Sequence, residues 1–261
     1  MSLVLSVVEN NIARVFINRP EKLNAMNSAL VAEFIAVFAT LATDPDLRAV
    51  VLTGAGPKSF VGGADIAEMG AIDSPAQARA FITSVHRCCD AVRSLPVPVI
   101  ARIQGFCFGA GLELAAACDL RVAATSASFG MQEVKLGIPS VIEAALLPGL
   151  VGWGRTREIL LLGETFAAAD AARWNLVERV VPDADLDAAV DDWLAKLLTS
   201  APQAVRAQKA LIRRWEKLPL AEAIQAGIDS FAQAFDGDEP KQALGHFLAA
   251  AAARKAGKHG V

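Results

Sequence analysis

Residues Val99 to Leu120, VIARIQGFCFGAGLELAAACDL, constrain the fold of this chain more than any other stretch. An apolar run ends at Gln104-Gly105, the loop behind it carries Gly109 and Gly111, and a small-residue helix begins with one carboxylate, Glu113, in its first turn. A strand that passes through a tight glycine turn into a helix is a building unit of α/β proteins. It also has a chemical use, because unpaired backbone N–H groups and the positive end of the helix dipole converge on one point where negative charge is stabilised.

The same alternation runs through the first two thirds of the sequence. Ile12 to Asn18 reads as a strand closed by Arg19-Pro20, and Leu30, Phe34, Val37, Phe38 and Leu41 then recur at helical spacing behind Asn27-Ser28. Ala49 to Thr53 is a short strand running into Gly54-Ala55-Gly56-Pro57, and Phe60 to Asp65 contains another glycine turn. Phe81, Val85, Cys89 and Val92 place a helix before Pro96, while Val97 to Ile103, Leu120 to Ala124 and Leu176 to Val181 read as further strands. This order predicts an α/β fold. From about Ala184 no strand pattern is found, and large apolar residues from Trp193 to Phe247 recur at helical intervals. The expected division is an α/β core over residues 1–195 and a helical region over 196–261. A helical tail with many large apolar residues and little core of its own is expected to pack on another subunit or to cap the α/β part.

With 261 residues, 54% of them hydrophobic, the chain has ample material for a core. A net charge of -3 gives no general electrostatic reason to expect nucleic acid or an anionic membrane as partner. Cys88 and Cys89 are adjacent, and Cys107 and Cys118 lie in apolar surroundings, so the four cysteines read as reduced core residues of a cytoplasmic protein. No secretory signal pattern is seen, and no apolar run reaches the roughly 18 residues of a membrane span. Walker loops, paired CxxC, HExxH and G-x-S-x-G are absent from the sequence. The three histidines, His86, His246 and His259, are scattered, so neither a metal cluster nor a Ser/His triad is expected. Gly105 to Ala110 lacks both the spacing and the following acidic residue of a dinucleotide fingerprint.

Two carboxylates occupy glycine-turn contexts. Glu113 sits among Gly111, Leu112, Leu114 and a run of alanines, and Glu133 follows Phe129-Gly130-Met131-Gln132. Two carboxylates in apolar surroundings can differ in proton affinity, so that one serves as base and the other as acid. Spacing alone is equally compatible with a first-turn residue favoured by the helix dipole and a solvated loop residue.

The ordered motifs add a resemblance. Arg19-Pro20 with Leu23-Asn24-Ala25, then Gly63-Ala64-Asp65-Ile66, then Gly105 through Gly111-Leu112-Glu113-Leu114 with Cys118-Asp119, and finally Phe129-Gly130 and Glu133 with Leu136-Gly137-Ile138-Pro139, together resemble the enoyl-CoA hydratase/isomerase (crotonase) family over roughly residues 8 to 250. Singly these motifs are weak, but in this order and spacing they are specific. The resemblance implies a spiral of ββα units followed by a C-terminal helical trimerisation region, giving a homotrimer or a dimer of trimers. It implies an acyl-CoA thioester substrate and no separate cofactor, coenzyme A being part of the substrate. It places the oxyanion hole on the backbone N–H groups of Ala64 and Ala110. Such donors stabilise a developing enolate oxygen, at roughly 2.7 to 4 kcal/mol per donor in a measured case. Glu113 and Glu133 match the two catalytic glutamates of the hydratases, Glu133 as principal acid/base and Glu113 as its partner on the water. Coenzyme A is expected along Lys22, Leu23 and Ala25 and along Ala64, Asp65, Ile66 and Gly109. Lys22 also reads as a solvated lysine beside Glu21, and Phe231 and Phe247 as plain helix core.

One departure stands out. After Gly137-Ile138-Pro139 hydratases continue with a glycine-rich turn, whereas this chain reads Ser140-Val141-Ile142-Glu143-Ala144-Ala145. Bulkier side chains beside Glu133 reshape the acyl pocket, and Glu143 is a third carboxylate that reads either as an alternative acid/base or as a helix-start residue. The expected activity is hydration of a 2-enoyl-CoA. Isomerisation, dehydration, thioester hydrolysis and idle acyl-CoA binding remain the alternatives.

Overall fold

The computed structural model describes residues 2–257, so His259 lies outside the described residues. Among the described residues the strands are β1 (Val4–Glu9), β2 (Ile12–Ile17), β3 (Ala49–Gly54), β4 (Ser59–Val61), β5 (Val99–Ile103), β6 (Phe106–Phe108), β7 (Leu120–Ala124), β8 (Ser128–Gly130), β9 (Thr165–Ala167) and β10 (Arg179–Val181). The α-helices are α1 (Ser28–Ala42), α2 (Ile66–Gly70), α3 (Pro75–Ser94), α4 (Ala110–Ala117), α5 (Leu147–Leu162), α6 (Ala168–Arg173), α7 (Leu186–Thr199), α8 (Pro202–Trp215), α9 (Leu220–Ala234) and α10 (Glu239–Gly257). Short 3-10 turns join several of them. The chain forms two compact units, Met1–Ala195 and Lys196–Val261, whose boundary falls within α7.

The first unit holds two sheets, one in the order β1-β2-β3-β5-β7-β10 and the other β4-β6-β8-β9. Consecutive strands alternate between them: β3, β5 and β7 join the larger sheet, while β4, β6 and β8 join the smaller one in parallel. The chain thus climbs as a spiral of ββα units. Parallel strands covered on both faces read as continuous apolar runs rather than alternating ones, and every residue of β3, AVVLTG, is buried. Phe34 and Phe38 of α1 stack at 4.4 Å between ring centroids, and α3 buries Val85, Cys88, Cys89 and Val92. All four cysteines are buried thiols outside any disulfide.

The three-residue strands of the smaller sheet are too short to carry a periodic pattern, and the sequence showed them as glycine turns. The strand read at Leu176 to Val181 contracts to Arg179–Val181, because Leu176 and Val177 turn inward and are buried. The helix read from Phe81 begins at Pro75, where the side chain of Ser74 caps Gln77 N–H.

In the second unit α8 and α9 pair, with Trp215 Nε1 donating to the carbonyl of Ala223 at 2.8 Å. Glu239 accepts from the N–H groups of Gln203 and Ala204 and so caps the start of α8. Leu220, Ile224, Ile228 and Phe231 of α9 and Leu244, Phe247 and Leu248 of α10 are exposed. Phe231 and Phe247 are therefore surface residues of this chain and not core. No helix among the described residues is long and apolar enough to cross a membrane.

The spiral is closed by glycine. A Cβ at Gly111, in the first turn of α4, would lie 2.2 Å from the carbonyl oxygen of Val61 in β4, so helix and strand approach backbone to backbone. Gly111→Ala is expected to destabilise by about 1–3 kcal/mol. Thermal unfolding should show Tm falling by roughly 2–4 °C for each kcal/mol lost.

Candidate active site

Two turns meet above the smaller sheet. β4 runs into Gly62-Gly63, where Gly63 has φ +118°, and β6 runs into Gly109, with φ +51°. A Cβ at Gly109 would lie 3.9 Å from Gly63 Cα, and one at Gly63 would lie 3.5 Å from the carbonyl of Phe108, so the turns are in contact. Each is followed by an alanine, Ala64 and Ala110. Neither alanine N–H finds an intramolecular acceptor among the described residues. Ala110 opens α4, whose N-terminal dipole adds to its own N–H. Both alanines line one cavity of about 660 Å³.

Glu113 and Glu133 line the same cavity. Glu113 projects from α4 and is only 4% exposed. Its Oε1 accepts from the N–H of Ala144 at 3.3 Å. Burial first, and then the charge of Glu133, pushes the Glu113 pKa up to about 8. Glu133 opens a 3-10 turn, Glu133–Leu136, and its Oε2 accepts from the Ser140 hydroxyl at 2.8 Å. Its Oε1 lies against Gly109, 2.7 Å from where a Cβ would stand. A side chain at Gly109 would therefore displace the carboxylate. The cavity brings together two N–H donors without an intramolecular acceptor and two carboxyl groups, of which Glu113 has a raised pKa.

The walls are apolar. Ile66 and Met69 come from α2, Ile82 and Val85 from α3, and Ile138 and Val141 from the segment behind Glu133. Of the α2–α3 wall the sequence picked out only Ile66 as part of a site, although Val85 lay on the apolar face read for α3. Arg79 is the one cation lining the cavity among the described residues. A second cleft, of about 720 Å³, is lined by Arg14, Arg102, Asp187 and Asp191. These charges pair with one another, Arg14 with Asp191 and Arg102 with Asp187.

Of the remaining residues expected at the site, Ile66 lines the cavity and is 59% exposed. Lys22, Leu23 and Ala25 lie outside its lining, on the loop that supports it. There the Leu23 carbonyl accepts from Gly62 N–H at 2.8 Å, and buried Asn24 ties Arg19 N–H to the carbonyls of Ala55 and Ser59. Asp65 also faces away from the cavity. Its carboxylate accepts from Ala67 and Glu68 at the start of α2 and pairs with Arg19, whose hydrogen bond holds the Asp65 pKa below the ordinary range. Glu143 is buried between α3 and α4. Its Oε1 meets His86 Nδ1 at 2.9 Å, and its carboxylate lies beside the buried Cys89 thiol. Among the described residues no group of three or more His, Cys, Asp or Glu side chains could hold a metal ion.

The protonation of Glu113 has a consequence for stability. Its folded pKa lies above the unfolded one, so the stability linked to its bound proton is fully present below the unfolded pKa and is lost as pH rises through about 8. Glu113→Gln removes that loss. The substitution is expected to raise Tm relative to the parent more at about pH 9 than at about pH 5, and equal shifts at both pH values would contradict a raised Glu113 pKa.

The enoyl-CoA hydratase/isomerase family profile matches residues 8–253. A short-chain-enoyl-CoA hydratase of Clostridium acetobutylicum is 35% identical over 92% of each chain, and a crotonyl-CoA hydratase of Syntrophomonas wolfei is 34% identical over 92% of each. The crystal structure of an enoyl-CoA hydratase from Mycobacterium smegmatis superposes with a TM-score of 0.91 at 32% identity, covering 94% of this chain and 96% of that one. By its sequence, its spiral of ββα units and its paired glycine turns, this chain belongs to the enoyl-CoA hydratase/isomerase family.

Proposed function

We propose that the protein is a 2-enoyl-CoA hydratase. The observation that carries this reading is the convergence of Glu113, Glu133 and the free N–H groups of Ala64 and Ala110 on one largely apolar cavity. The thioester carbonyl accepts from the two alanines, which polarises the conjugated double bond and leaves Cβ electrophilic. Glu113 and Glu133 hold one water between them. Glu133 takes a proton as the hydroxide oxygen bonds to Cβ, and the electron pair of the double bond moves onto the thioester as an enolate. A proton then returns to Cα, so that the sum is addition of one water. Apolar walls exclude competing water and strengthen each of these interactions.

The coenzyme A portion is proposed to leave the cavity past Ile66 and along the loop carrying Lys22, Leu23 and Ala25. Asp65 contributes through its backbone, because its carboxylate is engaged by Arg19. The exposed apolar faces of α9 and α10 support assembly as a homotrimer or dimer of trimers. The similarity to a short-chain-enoyl-CoA hydratase and to a crotonyl-CoA hydratase supports a small acyl group.

Incubation with crotonyl-CoA, following loss of the enoyl thioester absorbance and identifying the 3-hydroxyacyl product, tests the activity. Glu133→Gln is expected to lower kcat by roughly 100- to 10,000-fold while substrate still binds. No turnover of short or long 2-enoyl-CoA by a protein that binds them would leave an acyl-CoA binder. A 3-enoyl to 2-enoyl conversion without hydration would make it an isomerase. Sedimentation at three or six times the chain mass is expected, and a monomer would refute the proposed assembly.

A further inference from the structure

The segment that departs from a glycine-rich turn is the one that grips both glutamates. Gly137, at φ +79°, and Pro139 turn the chain back after the 3-10 turn, with Ile138 N–H donating to the Glu133 carbonyl. This return sets the Ser140 hydroxyl on Glu133 Oε2 at 2.8 Å. Two residues on, Ile142 has φ +36°, a conformation that a β-branched residue rarely adopts, and the chain then presents Ala144 N–H to Glu113. The half-buried Ser140 lies on the approach to the cavity between Pro139 and Val141, which line it.

We propose that Ser140 is a positioning residue for Glu133: its hydroxyl holds one carboxylate oxygen, so that the other, lying over Gly109 beside the oxyanion donors, is the one presented to water and substrate. This inference rests on the hydratase reading of the site. A carboxylate is free to rotate about its last torsion, whose wells are broad, and the adjacent glycine leaves Glu133 no side chain to lean on. A charge-assisted hydrogen bond from a short serine side chain removes that freedom. A glycine at this position offers no hydroxyl, so serine here supplies a contact that the glycine-rich version of the turn does not have. The charged or titratable groups facing Glu133 are Glu113 from α4 and Arg79 from α3. Glu143 stands behind Glu113, and Lys135, on the same turn as Glu133, is taken up by Glu164.

The test compares kcat and KM on crotonyl-CoA for the parent, Ser140→Ala, Ser140→Thr and Glu133→Gln. Ser140→Ala is expected to lower kcat on the order of tenfold, the effect of one hydrogen bond to a charged group, with KM little changed. Ser140→Thr, which keeps a hydroxyl, should recover most of the rate. An unchanged kcat in Ser140→Ala, while Glu133→Gln is inactive, overturns the positioning role and leaves the hydratase reading intact. A fully active Glu133→Gln overturns that reading itself.

Discussion

The close approach of α4 to β4 is the constraint on which the site depends. With Val61 O only 2.2 Å from where a Gly111 Cβ would stand, the helix can start only where its backbone lies directly on the strand. That contact sets the Gly109 turn against the Gly63 turn and brings the N–H groups that follow them into one cavity. At its far end α4 is held by the buried Arg121, which donates to the carbonyls of Ala115 and Cys118 and pairs with Glu178. A cation at the helix C-terminus and free donors at its N-terminus both follow the direction of the dipole. The helix is short because its work is positional: all eight of its residues are buried.

Placing Glu113 on this helix has an electrostatic cost. A carboxylate removed from water without a cation beside it keeps its proton, and here the neighbouring charges are those of two more glutamates. Among the described residues no lysine or arginine relieves this at Glu113; the fold offers backbone donors from Ala144 and Val141, and apolar walls. Glu133, half-buried and reached by the Ser140 hydroxyl, is in a different environment. The two carboxyl groups therefore differ in solvation and in partners, which is the condition for dividing acid and base roles at one pH.

Much of this was legible in the sequence where a residue type admits few explanations. Gly109 and Gly111 marked a strand-to-helix junction, and the structure gives each a distinct reason: a positive φ beside a carboxylate for the first, backbone contact for the second. Glu113 among alanines and leucines could be seen as a carboxylate in apolar company. The smaller sheet was hidden, because β4, β6, β8 and β9 have three residues each and show no period. The α2–α3 wall beyond Ile66 was hidden for another reason, since residues such as Met69 and Ile82 look like ordinary amphipathic helix positions until the helix is placed. Asp65 shows the limit of reading motifs as ligands. It belongs to a family motif, yet its side chain caps α2 and holds Arg19, so the position serves the site through backbone placement.

The segment from Ser140 to Ala144 shows how one fold can keep its oxyanion donors and change its chemistry. The donors are backbone groups fixed by glycines deep in the spiral, where substitution meets main-chain atoms. The carboxylates are held from a segment outside both sheets, in which Val141 is exposed and Ser140 half-buried while Glu143 and Ala144 are buried. Ser140 and Ala144 N–H touch the two glutamates directly, and Val141 forms part of the acyl wall between them. In the proposed mechanism polarisation of the thioester belongs to the geometry of the two glycine turns, while the proton path and the acyl wall belong to the segment from Ser140 to Ala144.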